Sequence, residues 1–156
     1  MAPLENYLRE LLDVGSTGAA VKETSYYPAL SRWFSEGGKT LKPMVRCVLT
    51  LANRGAGLPE GGLFTPDQFQ KSPEGGPPPG QNPARGVIEI KSTGDDAWVS
   101  ADGEQAVRYW RKNRQLLVTN YRDFVQIGQD PEGKPVKLES FRRAENEKAF
   151  WAAVRA

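Results

Sequence analysis

Two short acidic segments hold residues whose types and spacing could act on one substrate. Glu89-Ile90-Lys91 lies in an apolar, β-branched run that predicts a strand, so Glu89 and Lys91 project from one face. Glu60 lies at the start of a shorter predicted strand upstream, and Glu23 lies near the start of a predicted helix. Three carboxylates and a lysine suit metal-assisted phosphodiester hydrolysis, because Mg²⁺ prefers carboxylate and water oxygens.

In such a site the metal would polarise a phosphoryl oxygen and lower the pKa of the attacking water. Lys91 would orient that water or neutralise the charge that develops on phosphorus. Simpler interpretations stand beside this one. Glu89 and Lys91 could belong to the solvated face of a half-buried sheet, and Glu23 could stabilise the first turn of its helix through the macrodipole.

Composition narrows the chemistry further. The 156 residues include no histidine and one cysteine, which excludes Ser-His-Asp and Cys-His catalysis, disulfides within the chain and structural zinc. The formal net charge is +2, so any basic surface must be local. No apolar run reaches the roughly 18 residues of a membrane helix, and the N-terminus is unlike a signal peptide. We expect a cytoplasmic protein with no membrane partner.

The elements that must position these residues follow from periodicity and turn signals. Apolar spacing predicts helices, β-branched runs predict strands, and a loop rich in proline and glycine covers 71–86. The predicted helices cover 4–14, 25–34, 102–114 and 141–154, with Gly37 and Gly38 ending the second; the predicted strands cover 45–51, 62–65, 86–91, 116–119, 124–127 and 136–138. This order predicts an α/β domain with one central sheet.

The acidic residues and this order resemble a known family. Pro59-Glu60, a gap and then Glu89-Ile90-Lys91 are similar to the motif of the PD-(D/E)xK nuclease superfamily. The resemblance implies a restriction-endonuclease-like fold, in which a mixed central sheet is flanked by helices around an α-β-β-β-α-β core.

Longer stretches make the resemblance more specific. They look like the N-terminal nuclease region of large bacterial restriction-modification polypeptides, which fuse an endonuclease to an N6-adenine methyltransferase and a target-recognition module. The stretches are KETSYYPAL (22–30), GAGLPEGGLF (55–64), RGVIEIKSTGDDAW (85–98) and LVTNYRDF (117–124). The resemblance implies that 1–156 is a single endonuclease-like domain at the front of a longer chain, with double-stranded DNA as its partner.

The family's site residues carry over to matching positions. Glu60, Glu89 and the backbone carbonyl of Ile90 would be ligands of Mg²⁺, for which Mn²⁺ could substitute, and Lys91 would be the catalytic lysine. Glu23 would match an acid of the first helix that holds a metal-bound water. The family's usual aspartate after the proline is Glu60 in this chain.

The helix after Lys91 carries a second set of candidates. Gln105 and Tyr109 are similar to a QxxxY element of some superfamily members, which helps to hold the site or the DNA strand. Arg108, Arg111 and Lys112 could contact DNA phosphates. Two alternatives remain open: Gln105 could close a capping box with an N-cap at residue 102, and Tyr109 could be a core residue.

The sequence therefore predicts a Mg²⁺-dependent DNA endonuclease domain of a restriction-modification enzyme. A repair or recombination nuclease of the same superfamily is one alternative. A non-catalytic DNA-binding module with a nuclease-like fold is another. Double-strand cleavage with one such site per chain would require two copies.

Overall fold

The computed structural model describes residues 3–17, 23–49, 59–69 and 83–155, apart from the side chains of Glu23 and Thr24. A 3₁₀ turn, Glu23–Tyr26, precedes α2. The helices are α1 (Pro3–Ser16), α2 (Tyr27–Gly38), α3 (Ala97–Ala101), α4 (Glu104–Asn113) and α5 (Glu147–Arg155). The strands are β1 (Arg46–Leu49), β2 (Gly61–Phe64), β3 (Val87–Ile90), β4 (Leu116–Thr119), β5 (Asp123–Gln129) and β6 (Pro135–Arg142). Among these helices, none is long and apolar enough to span a membrane.

The six strands form one mixed sheet in the order β1-β2-β3-β4-β5-β6. All neighbouring pairs are antiparallel except β3 and β4, which run parallel and are connected through α3 and α4. The predicted fold class, a restriction-endonuclease-like α/β sheet flanked by helices, is confirmed.

The two faces of the sheet bury different halves of β3. Ile88 and Ile90 pack with residues of α1, α2 and α5, and each is fully buried. Val87 lies in a second cluster with residues of α3 and α4. Because side chains alternate along a strand, Glu89 and Lys91 share the face that α4 covers. The prediction that Glu89 and Lys91 project from one face is confirmed, and the two isoleucines occupy the other face.

Three element boundaries differ from the sequence prediction. Gly37 and Gly38 lie inside α2, whose C-cap is Lys39. Asp102 does not begin the third predicted helix; it is the C-cap of the unpredicted α3, and Gly103 is the N-cap of α4. The predicted helix over 141–154 begins only at Glu147, because residues up to 142 continue β6 in its pairing with β5.

Cys47 of β1 is a buried core residue. Residues 55–57, and residues 71–82 of the predicted loop, lie outside the described residues.

Candidate active site at the end of the central strands

Glu60 lies where β2 stops pairing with β3. The ladder between these strands joins Gly61 to Ile88 and Gly62 to Val87, so the next position along, Glu60, faces Glu89. The backbone N–H of Ile90 donates a hydrogen bond of 3.1 Å to Oε2 of Glu60. The Glu60 carboxylate thus takes the place of the backbone carbonyl that a longer β2 would offer to the Ile90 N–H. This hydrogen bond fixes the carboxylate beside the end of β3.

Glu89 and Lys91 form the centre of the site. The side chain of Glu89 is 1% exposed, and its Oε1 lies 3.3 Å from Nζ of Lys91, whose side chain is 28% exposed. This burial rules out the interpretation of Glu89 as part of a solvated sheet face. Burying a carboxylate costs free energy unless a cation lies beside it. The ammonium of Lys91 offsets this cost for Glu89.

A polar chain continues from Lys91 to α4. Nζ of Lys91 donates to Oε1 of Gln105 at 3.3 Å, and Nε2 of Gln105 donates to the hydroxyl of Tyr109 at 2.7 Å. The capping-box alternative for Gln105 is wrong, since α4 begins at Glu104 after the N-cap Gly103 and has no side-chain cap bond. Tyr109 is 4% exposed and also packs in the core on the α4 side. Its ring is therefore a core contact, while its hydroxyl bonds Gln105.

The electrostatics of the site show in the pKa of Glu60. This pKa is raised from 4.5 to about 7, chiefly by burial and also by the nearby Glu89, against the lowering effects of the Ile90 N–H and of Lys91. Burial also raises the pKa of Tyr109, with Glu60 and Glu89 adding to the shift. The two carboxylates therefore repel each other at close range, which is a property of sites that bind cations.

The donor set fits a hard divalent cation. Glu60 and Glu89 supply carboxylate oxygens, and in a strand the carbonyl of Ile90 points to the same edge as its N–H, which meets Glu60. Mg²⁺ typically uses one or two protein carboxylates and keeps several waters. Within the described residues no three acidic, histidine or cysteine side chains converge on one point. Glu23 begins the 3₁₀ turn before α2, and its side chain lies outside the description.

The basic residues of α4 divide between two sides of the helix. Residues three and four apart in a helix share a face, so Arg108 and Lys112 lie beside the Gln105–Tyr109 pair. Arg111 instead lines a shallow cleft of about 370 Å³ together with Asp102, Glu104, Val107 and Arg108. Arg108 thus borders both sides, Lys112 the site side, and Arg111 the side with acidic neighbours.

A buried polar cluster at the turn between β4 and β5 was not predicted as part of the site. Arg122 and Asp123 are 5% and 1% exposed and form an ion pair of 2.8 Å. Asn120 donates to the carbonyl of Asp95 at 2.6 Å and caps the turn with its own carbonyl oxygen. The cluster supports the loop that follows Lys91, and the unusual run TNYRD was its only sequence signal.

Three aspartates near the site have different places. Asp96 is the N-cap of α3 and accepts from the backbone N–H groups of Trp98 and Val99. Asp95 is exposed in the same loop. Asp123 begins β5 and is buried, because Arg122 neutralises it.

Comparison with known proteins agrees with the fold. No protein family and no curated protein matches the chain. Among solved structures, the chain is similar to one in a cryo-electron microscopy structure of a DrdV–DNA complex, with a TM-score of 0.59 and 16% sequence identity. The match covers 98% of this chain and 13% of that one, so this chain spans about an eighth of the length of its structural neighbour. At this identity the likeness shows the fold.

Proposed function

We propose that this chain is a Mg²⁺-dependent DNA endonuclease domain of a restriction-modification enzyme. The observation that carries the proposal is the buried Glu89, paired with Lys91 and placed opposite Glu60, on the face of the sheet that α4 covers. The structural neighbour is a protein in complex with DNA, which supports DNA as the substrate class.

Each residue has a role in this mechanism. Glu60, Glu89 and the carbonyl of Ile90 would hold the metal ion, which supplies a Lewis acid for the phosphoryl oxygen and a water of lowered pKa. Lys91 places its ammonium beside the scissile phosphate and neutralises charge that develops there, while Glu89 and Gln105 fix the position of Nζ. Arg108 and Lys112 contact the neighbouring phosphates.

The wider assignment also belongs to the proposal. The match to a small share of a much longer chain supports a domain that works within a larger protein. In this proposal the other parts of that protein are methyltransferase and target-recognition domains. In this proposal the enzyme acts in the bacterial or archaeal cytoplasm, and two copies cooperate to cut both strands.

The test is nicking of a supercoiled plasmid by the purified chain in Mg²⁺, with and without EDTA. Glu89→Gln keeps the shape of the side chain but removes its charge, and we expect it to abolish nicking. Glu139→Gln, at an exposed position of β6, is the matched control and should cut like the parent. Equal nicking by the Glu89→Gln variant would refute the metal-site assignment.

A non-catalytic DNA-binding module is the second candidate, because only two of the candidate acids are seen to meet at the described site. Calorimetric titration with Mg²⁺ and Mn²⁺ separates the two. Binding in the millimolar range that is lost in Glu89→Ala supports the enzyme. DNA binding without any metal binding supports the module.

A further inference from the structure

The loop that follows Lys91 is held from two directions. Lys91 makes the last ladder bond of β3, from its N–H to the carbonyl of Thr119 at 2.8 Å, and the chain then runs through 92–96 to α3. On the β4–β5 side, Arg122 Nε donates to the carbonyl of Thr93 at 2.9 Å, and Asn120 and Arg122 both donate to the carbonyl of Asp95.

From the opposite side, the same loop is bound by α5. The hydroxyl of Thr93 donates to Oε1 of Glu147 at 2.7 Å, and Thr93 is 8% exposed. The other carboxylate oxygen of Glu147 lies against Gly94, where a β-carbon would come within 3.0 Å of it. A side chain at position 94 would therefore displace this carboxylate by a few tenths of an ångström, so Glu147 lies directly on the loop.

Glu147 is itself held by the core. Nε1 of Trp151 donates to Oε1 of Glu147 at 3.3 Å. The ring of Trp151 packs near that of Tyr26, with 6.2 Å between the ring centroids. Phe150, the preceding residue, is fully buried. The packing of α5 therefore helps to fix the position of the half-buried Glu147.

We propose that the Thr93–Glu147 pair is a latch through which α5 positions Lys91 for catalysis. The inference rests on the proposed nuclease function and adds to it two positioning residues that touch neither metal nor phosphate. Thr93 is two residues beyond Lys91, so a shift of the loop rotates the end of β3 and moves Nζ away from its contact with Gln105.

The geometry favours a positioning role over a purely stabilising one. The buried ion pair of Arg122 with Asp123 already ties the loop to the sheet through backbone carbonyls. The latch adds a directional contact to a side chain of the loop, from an element on the other face of the sheet. A misplacement of about 1 Å at a catalytic group can cost about 100-fold in rate.

The test removes the latch hydroxyl at constant volume. In Thr93→Val we expect kcat for plasmid nicking in Mg²⁺ to fall about tenfold to 100-fold while KM stays within about twofold. Thr93→Ser keeps the donor and should restore most of kcat. Thr40→Val removes an exposed hydroxyl that bonds the carbonyl of Gly37 at 2.7 Å, and it should change neither constant.

A second variant and a second readout keep the test independent of folding and of catalysis. Glu147→Met removes the acceptor from the other side and should reproduce the Thr93→Val kinetics. Hydrogen–deuterium exchange over 91–97 should become faster in both latch variants and remain slow in Thr93→Ser and Thr40→Val.

Several results would overturn the latch. They are an unchanged kcat in Thr93→Val, a Thr93→Ser variant as poor as Thr93→Val, or unchanged exchange over 91–97. If the parent chain cuts no DNA, the proposed function fails and the exchange measurement alone decides on the latch: faster exchange retains it, and unchanged exchange removes it.

Discussion

Lys91 connects the carboxylate of Glu89 to helix α4. Its ammonium contacts Glu89 on one side and Gln105 on the other, each at 3.3 Å. Two fixed partners leave the long lysine side chain little rotational freedom, so the group is organised before substrate arrives. Such preorganised charge is what stabilises a transition state without further reorganisation.

Replacing Lys91 by alanine should lower the nicking rate by at least about 100-fold, because a preorganised donor is lost from the site. The fold should persist, since the side chain is 28% exposed. Plasmid nicking and the thermal unfolding midpoint measure the two effects. Lys137→Ala, which breaks the surface ion pair of Lys137 with Asp102, is the control and should leave the rate unchanged. A Lys91→Ala protein that cuts like the parent would contradict the assignment.

The raised pKa of Glu60 predicts how stability depends on pH in the metal-free protein. The folded state holds this proton up to about pH 7, whereas the unfolded chain loses it near 4.5, so the folded state binds more protons between these values. Stability from this group is present below about pH 4.5 and is lost as the pH rises through 7.

Glu60→Gln should therefore make the free energy of unfolding less dependent on pH. At pH 8 the variant's free energy of unfolding should be higher than the parent's by about 1 to 3 kcal/mol. The glutamine carbonyl can still accept the Ile90 N–H. Urea unfolding in EDTA from pH 5 to pH 8 measures this effect, with Glu145→Gln at an exposed site as control. Parallel profiles for parent and Glu60→Gln would show that Glu60 ionises normally.

For single residues, the sequence predicted Glu60, Glu89 and Lys91, which the structure brings together. It did not predict the residues that hold them in position. Alternation along a strand placed Glu89 and Lys91 together, and one face of a helix placed Gln105 beside Tyr109. The choice between a cap and a site contact for Gln105 depended on the N-cap of α4, which lies one residue later than the capping box needs. Thr93 and Glu147 are 54 residues apart, and no local pattern connects them.

The helix α4 acts as an element with two different sides. One side carries Gln105 and Tyr109 toward β3, with Arg108 and Lys112 adjacent; the other carries Arg111 among acidic neighbours. A phosphate backbone running along the first side would meet the candidate site together with Arg108 and Lys112. The sequence predicted all three basic residues equally, because charge alone does not give orientation.

We expect Lys112→Ala and Arg108→Ala each to weaken DNA binding and to reduce the slope of log affinity against log salt by about 1. Arg111→Ala should change the slope less, because Arg111 borders only the cleft with Asp102 and Glu104, whereas Arg108 and Lys112 lie beside the Gln105–Tyr109 pair. Fluorescence anisotropy with a labelled duplex, at several salt concentrations, measures this. Equal slopes for all three variants would show that DNA does not follow this side of α4.

Breaking the link between Gln105 and Lys91 should affect turnover more than binding. Gln105→Ala removes the acceptor for Nζ and the donor to the Tyr109 hydroxyl, so we expect kcat to fall about tenfold with little change in KM. Glu104→Ala, one position earlier in the same turn, is the matched control. Steady-state nicking kinetics on both variants decide the matter; a rise in KM alone would indicate a DNA contact instead.

For the whole molecule, the order of elements was predictable because strands and helices differ in apolar periodicity. The exceptions have local causes. The helix α3 has only five residues, too few for a periodic signal, and Phe141 and Ala144 happen to share helical spacing although β5 draws Phe141 into β6. Long-range pairing overrides local pattern at such places.

Cys47 offers a probe of the whole fold that needs no activity. The residue is 6% exposed, and burial raises the pKa of its thiol to about 12. The reactive thiolate is therefore scarce in the folded state near neutral pH, so labelling by a disulfide reagent should require opening of the fold. Labelling should accelerate in urea in parallel with the loss of far-UV circular dichroism. Rapid labelling in buffer alone would contradict the buried position of β1.

The hydroxyl of Tyr7 in α1 donates to the backbone carbonyl of Tyr121 at 2.7 Å, across 114 residues of sequence. On a ribosome that adds roughly 5–20 residues per second, α1 waits about 6 to 23 s for this partner to be synthesised. During that interval the apolar side of α1, with Leu11 at its centre, lacks the part of its cover that Tyr121 and Phe150 supply. Newly made chains are therefore most exposed to aggregation or to chaperone capture before the β4–β5 turn emerges, and a ribosome stalled short of residue 121 would hold a chain that cannot close its core.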